Sequence, residues 1–155
     1  MKTYETAHEF FATIVSLHEQ AARQLLEAMT NCPSERSKMA FTYLHNYQQR
    51  MQEGLSHYLQ DSEQDKLLDT WLPYSLNSMP APKDFLSGLE IKPELSADDI
   101  AVLGQAIANY VVSLLEDVSG SIASQALAEV MDNLMALEGN ERKKFTRAMN
   151  SLADM

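Results

Sequence analysis

A chain of 155 residues, 45% of them hydrophobic, suits one domain with a continuous apolar core and needs no staple to hold it. Its 22 acidic against 12 basic residues leave a formal net charge of -10, which repels phosphate backbones and argues against nucleic acid as a partner. The single cysteine, Cys32, excludes an internal disulfide and a cysteine-based zinc site, and fits a reducing compartment.

The N-terminal stretch MKTYETAHEFFATIV meets glutamate and histidine before any sustained apolar run, which is wrong for a secretory signal. No stretch approaches the roughly 20 apolar residues that span a bilayer. The expected location is the cytoplasm, without membrane contact.

From residue 4 to residue 30 the positions Phe11, Ile14, His18, Ala21, Leu25 and Met29 recur three or four apart, the period of an amphipathic helix, with His18 in the apolar stripe. Asn31-Cys32-Pro33 stops it, because proline lacks a donor and disfavours helical geometry in the residue before it. Ser34 can cap a second helix over residues 34–60, striped by Ala40, Leu44, Tyr47, Met51, Leu55 and Tyr58. So short a join makes the two helices antiparallel neighbours.

Residues 61–96 form a crossover. Asp65 to Trp71 has the pattern of a short helix, while Pro73, Pro80, Pro82, Gly88 and Pro93 forbid a long one. Trp71, Leu72, Tyr74, Phe85, Leu86, Leu89 and Ile91 make this segment too apolar for a free linker, so it is expected to pack on the helices. Ser96 with Asp99 offers an N-cap for a third helix over 97–118, striped by Ile100, Leu103, Ile107, Tyr110, Leu114 and Val118. Ser119-Gly120 ends it. A fourth helix runs over 122–152 with Leu127, Val130, Leu134, Leu137, Glu141, Phe145, Ala148 and Leu152 in phase. No strand is expected.

A weak internal echo pairs Leu25 with Leu115, Glu27 with Asp117, Leu44 with Leu134, Gln48 with Glu138 and Leu55 with Phe145, a shift of 90 positions. It reflects either a duplicated hairpin or two hairpins under one packing rule.

Two long helical hairpins joined by a long crossover resemble the ferritin-like superfamily, including rubrerythrin-type domains, over nearly the whole chain. The resemblance implies an all-α, ferritin-like four-helix bundle of one domain. In that family each hairpin supplies one Glu from its first helix and a Glu-x-x-His from its second, all pointing inward to hold two iron or manganese ions. On this template the fourth helix offers Glu138 and Glu141, with glutamate where histidine is expected. The second helix offers Gln48 and Met51, neither a ligand there; the first offers His18 or Glu19, and the third only Tyr110 or Asn109. The candidate metal residues are therefore His18, Glu19, Glu138 and Glu141, too few to hold and neutralise a two-metal centre.

Each candidate also has a plainer reading. Glu138 and Glu141 are expected near the end of the bundle, where they reach water or pair with basic residues such as Arg142. Gly139-Asn140 between them is a point where the helix could end or kink. His18 reads as a structural histidine with one hydrogen bond, and Tyr47, Met51 and Tyr110 as core. His8, His45 and His57 are expected in water. Arg142, Lys143, Lys144 and Arg147 are read as cations in the last turns of their helix, where they complement its dipole. Cys32 beside Pro33 is a reactive thiol only if a neighbour such as Arg36 activates it.

No phosphate-binding glycine loop, nucleophile elbow, HExxH or paired-cysteine motif occurs. The leading expectation is a non-enzymatic bundle that acts through its surface, as a homodimer or an adaptor for another protein, with no cofactor. The competing one is a metal-binding protein or atypical oxidoreductase holding iron or manganese on Glu138, Glu141 and His18. A third is a small ligand in the core around Tyr47, Met51 and Tyr110.

Overall fold

The computed structural model describes residues 2–60, 71–75, 79–120 and 124–155. The fold is all-helical in class: α1 (Ala7–Thr30), α2 (Glu35–Gln60), the short α3 (Pro82–Gly88), α4 (Ala97–Ser119) and α5 (Gln125–Ala153). Among the described residues a two-stranded antiparallel ribbon, β1 (Lys2–Thr6) with β2 (Trp71–Ser75), accompanies them, in register from Lys2 opposite Ser75 to Thr6 opposite Trp71.

The ribbon corrects two expectations, that no strand exists and that the first helix begins at residue 4. Thr6 explains the boundary: its backbone is extended and its hydroxyl accepts from the Glu9 amide at 3.1 Å, so it caps α1 rather than joining it. Pro73 is tolerated because each strand of a lone pair has a free edge. The expected short helix over Asp65 to Trp71 lies outside the described residues except for Trp71, which opens β2. A short helix forms at α3, with Pro82 in its first turn, where a missing N–H costs nothing.

The four long helices end where their caps place them. Ser34 accepts from the Ser37 amide at the start of α2. Ser96 and Asp99 exchange side-chain and backbone bonds in a full capping box before α4. Ser124 accepts from the Leu127 amide before α5. The helix runs unbroken through Gly139-Asn140, contrary to the expected end or kink. Burial of its flanks decides this, since Glu138 and Glu141 both face inward and hold the turn between them.

Contacts between side chains give the helix directions. His18 and Met29 of α1 meet Gln48 and Thr42 of α2, so the two run antiparallel. Tyr47 and Tyr58 of α2 meet Glu138 and Asn133 of α5, again antiparallel. Gln105 and Asn109 of α4 meet Thr146 and Arg142 of α5, antiparallel too. It follows that α2 and α4 are parallel, which is why a long crossover must join them. That crossover packs on the helices as expected: Leu72 and Leu86 are buried, α3 lies against α1, and the Phe85 ring stacks on Tyr110 of α4 with centroids 4.0 Å apart. The Tyr110 hydroxyl donates to the Pro80 carbonyl at 2.6 Å.

All four long helices contribute to one core, from Phe10, Ile14 and Leu25 through Phe41, Leu44 and Met51 to Ile107, Leu114, Leu134 and Phe145. By length and composition α4 could cross a membrane, with an 18-residue window of mean hydropathy 1.2, against the expectation that no stretch comes near. Half of that window is buried in this core.

At Gly104 of α4, side chains of α2 and α5 come close to the backbone. A Cβ there would lie 2.4 Å from Phe145 Cε2 and 3.1 Å from Leu44 Cδ1, both on buried side chains, whereas a Cβ at Gly139 would meet nothing within 4 Å. Two glycine-to-alanine changes in helix interiors should therefore have opposite signs. Gly139→Ala should gain about 0.5–1 kcal/mol from helix propensity. Gly104→Ala should lose about 1–3 kcal/mol from overpacking, and urea midpoints of the two variants check both.

Candidate functional site

Of the four predicted metal residues, the structure brings together His18 and Glu138 and leaves Glu19 and Glu141 apart from them. His18 of α1 and Glu138 of α5 are both fully buried, with Nε2 and Oε2 facing each other at 3.9 Å. That is beyond hydrogen-bond reach. Glu19, the next residue round α1, projects outward and pairs with Arg23 at 3.3 Å. Among the described residues no three of His, Cys, Asp and Glu are grouped to hold a metal ion.

Two neighbours on α2 complete the centre. The Tyr47 hydroxyl donates to Glu138 Oε1, and Gln48 Oε1 lies 2.6 Å from His18 Nδ1. An amide oxygen only accepts, so the imidazole donates from Nδ1 and, when neutral, carries a lone pair on Nε2. Three buried atoms of this centre have no hydrogen-bond partner among the described residues: His18 Nε2, Glu138 Oε2 and Gln48 Nε2. Each such atom costs about 1–3 kcal/mol.

Burial governs both titrations. It pulls the His18 imidazole down to about 4 despite the Gln48 bond, which opposes the fall. It pushes the Glu138 carboxyl up to about 7, against the Tyr47 hydrogen bond and the Arg142 charge, with the Glu141 charge adding to the rise. Burial, reinforced by the Glu138 charge, likewise drives the Tyr47 phenol far up, so it serves as a permanent donor. Just below neutrality the arrangement is a protonated carboxyl whose Oε2 faces a bare imidazole nitrogen.

Glu138 thus corrects the expectation that it would reach water at the end of the bundle. It sits on the face of α5 that packs against α2 and α1, where among the described residues Tyr47 supplies its one hydrogen bond. Glu141 is buried too, in mid-helix rather than at the bundle end, and its partners are Arg50 of α2 at 2.5 Å and Lys144 at 3.0 Å. Arg142, the expected partner, is turned to α4 and donates to Gln105 Oε1 and Asn109 Oδ1, each at 2.7 Å. One residue is about 100° of helix rotation, enough to send adjacent side chains to different neighbours. Burial raises the Glu141 carboxyl, but the bonds from Arg50 and Lys144 outweigh it and leave it below the usual range.

The remaining candidates are structural. Tyr47, Met51 and Tyr110 are core residues, as their phase implies. His8 and His57 are exposed and His45 is half-buried rather than free in water. Cys32 is buried, its thiol donating to the Ser34 carbonyl at 3.4 Å, and Arg36 is engaged with the Met155 carbonyl at 2.7 Å. Sequence reasoning missed Tyr47 as the donor to Glu138 and Arg50 as the partner of Glu141. The available signal was phase: Tyr47 lies on the same buried stripe as Leu44 and Met51, opposite the stripe that carries Glu138.

Comparison with known protein families, characterised proteins and solved structures finds no match to this chain.

The two buried groups pull stability in opposite directions with pH. The Glu138 pKa is raised from 4.5 to about 7, so its contribution is full below 4.5 and is lost as pH rises through 7. The His18 pKa is lowered from 6.5 to about 4, so its contribution is full above 6.5 and is lost as pH falls through 4. Between 4.5 and 6.5 the folded and unfolded pair hold about one proton each, so the two slopes should nearly cancel. Single variants should unmask them: His18→Leu should become less stable as pH rises across that window, and Glu138→Gln more stable. Denaturant midpoints measured from pH 4 to 7.5 check both signs.

Proposed function

We propose that the chain is a ferritin-like four-helix bundle that works through its surface, as a homodimer or by docking another protein, and not by chemistry at its centre. One observation carries this reading: the centre collects a single carboxylate, Glu138, and a single imidazole, His18. Gln48, Met51 and Tyr47 fill the rest of the α2 face where further ligands would be needed. A di-metal centre requires several anionic ligands to neutralise its ions and fix their spacing. These residues do not fit one, and no metal-dependent step is derived from them. The antiparallel α1–α2 and α4–α5 pairs, with α2 parallel to α4 across a packed crossover, support the ferritin-like order of helices.

A second reading rests on the unpartnered His18 Nε2 and Glu138 Oε2. Facing each other across 3.9 Å, they could share one ion of the kind an imidazole and a carboxylate accept, iron or manganese. Glu19 and Glu141 lie away from this point and would add nothing to it.

Sedimentation at micromolar concentration and elemental analysis of the same preparation separate the two. The surface reading predicts a dimer or a captured partner, with less than about a tenth of an equivalent of metal and no thermal stabilisation on adding iron or manganese. A strict monomer without partners contradicts it, and near-stoichiometric metal lost in both His18→Leu and Glu138→Gln establishes the second reading instead.

A further inference from the structure

The helix α4 is uncharged on its outer side as well as on the side that enters the core. No charged residue stands between Asp99 and Glu116, yet only half of its most apolar window is buried. Its outer side carries Val102, which is 69% exposed, then half-buried Ala106 one turn on and exposed Asn109 beyond. A helix apolar all round is normally buried all round. On this side nothing among the described residues covers it.

Beside that face runs a strip of α5. Gln105 Nε2 donates to Thr146 Oγ1 at 3.1 Å and Arg142 to Asn109 Oδ1 at 2.7 Å, which holds the strip against α4. From Arg142 to Ala153 the strip has four cations and no acid, in a chain of net charge -10. The last turn of α5 holds no basic residue, so the helix dipole, which fades within that turn, does not account for them. Lys144 is used by Glu141, and Arg142 is turned to Gln105 and Asn109. Lys143 and Arg147, one turn apart, are exposed and make no hydrogen bond or ion pair among the described residues. The surface along residues 142–147 is shallow and mostly apolar, as expected where long cationic side chains lay their stems along a helix.

We propose, resting on the surface reading above, that the outer side of α4 and this strip of α5 dock an acidic amphipathic segment of another protein. Its apolar side chains would cover Val102 and Ala106, and its carboxylates would meet Lys143 and Arg147. A flat apolar patch with charge at its rim has the anatomy of a polypeptide interface. A second copy docked about a two-fold axis through the strip would set these cations against their own copies. An anionic bilayer is a poorer match, since two free cations attract it weakly while the acidic remainder of the chain is repelled.

Amide NMR of the full chain tests this with three probes: a helical peptide with leucines along one side and glutamates on the other, the same peptide with lysine for every glutamate, and phosphatidylglycerol vesicles. Saturable shifts confined to residues 100–113 and 142–150 are expected with the glutamate peptide, with Kd of about 10–100 μM, and binding should weaken as salt rises. The lysine peptide should bind at least about tenfold more weakly. Val102→Ser and Arg147→Gln alter exposed side chains and should melt like the parent chain, while each weakens binding by about threefold to tenfold. Equal binding of the lysine peptide, preference for the vesicles, no saturable shift up to about 1 mM, or binding unchanged in both variants overturns the proposal. Sedimentation of the chain alone separates this failure from that of the wider reading: with a dimer the surface reading stands and this face is wrong, whereas a strict monomer without partners removes both.

Discussion

A buried carboxyl cannot be placed casually. Glu138 lies inside an apolar core, and everything near it is arranged around the cost of putting it there. Tyr47 gives one oxygen a donor, burial keeps the group protonated near neutrality, and the second oxygen is left facing His18. Because Tyr47 and Gln48 are on α2, His18 on α1 and Glu138 on α5, the same few atoms fix the relative heights of three helices. Apolar stripes alone would tolerate a slip of one turn, whereas the Tyr47–Glu138 and Gln48–His18 hydrogen bonds form at one register. The close approach at Gly104 does the same for α4, through the Phe145 ring and Leu44.

The sequence carried the helices well, because their information is local. The three- and four-residue recurrence of Leu44, Tyr47 and Met51, the proline after Cys32, and the pairing of Ser96 with Asp99 are each readable within one turn or two. What it could not carry was the destination of residues 2–6 and 71–75. Lys2 to Thr6 has no apolar period of its own, and it becomes a strand only because β2 lies alongside; a partner about 70 positions away leaves no local trace. The short helix was missed for a related reason. Prolines read as breakers, but Pro82 stands at the start of α3, where proline is favoured.

At the candidate site the right residues were visible and their surroundings were not. His18 and Glu138 stood out as polar groups on apolar stripes, and the structure sets them face to face. Phase shows which side of a helix a residue takes, but not which neighbours lie there, and this separates Glu138, bonded by Tyr47, from equally buried but ion-paired Glu141 only one turn away. Adjacent residues can part just as sharply: Glu141 turns to Arg50 and Arg142 to Gln105 and Asn109. The echo between Gln48 and Glu138 acquires a meaning here without evidence of ancestry, since both positions point at the same core histidine or its neighbour, as equivalent places in two packed hairpins must.

Whether Glu138 carries a proton inside the fold is the claim on which the rest turns. Carbonyl-carbon NMR of the glutamate side chains, followed through pH with Glu138→Gln to assign the resonance, measures it directly. A carboxyl that titrates near 7, well above the other glutamates, is what burial beside Tyr47 and a neutral His18 requires. A value at or below the ordinary 4.5 would mean a solvated or ion-paired carboxylate, and the polar centre described here would not exist.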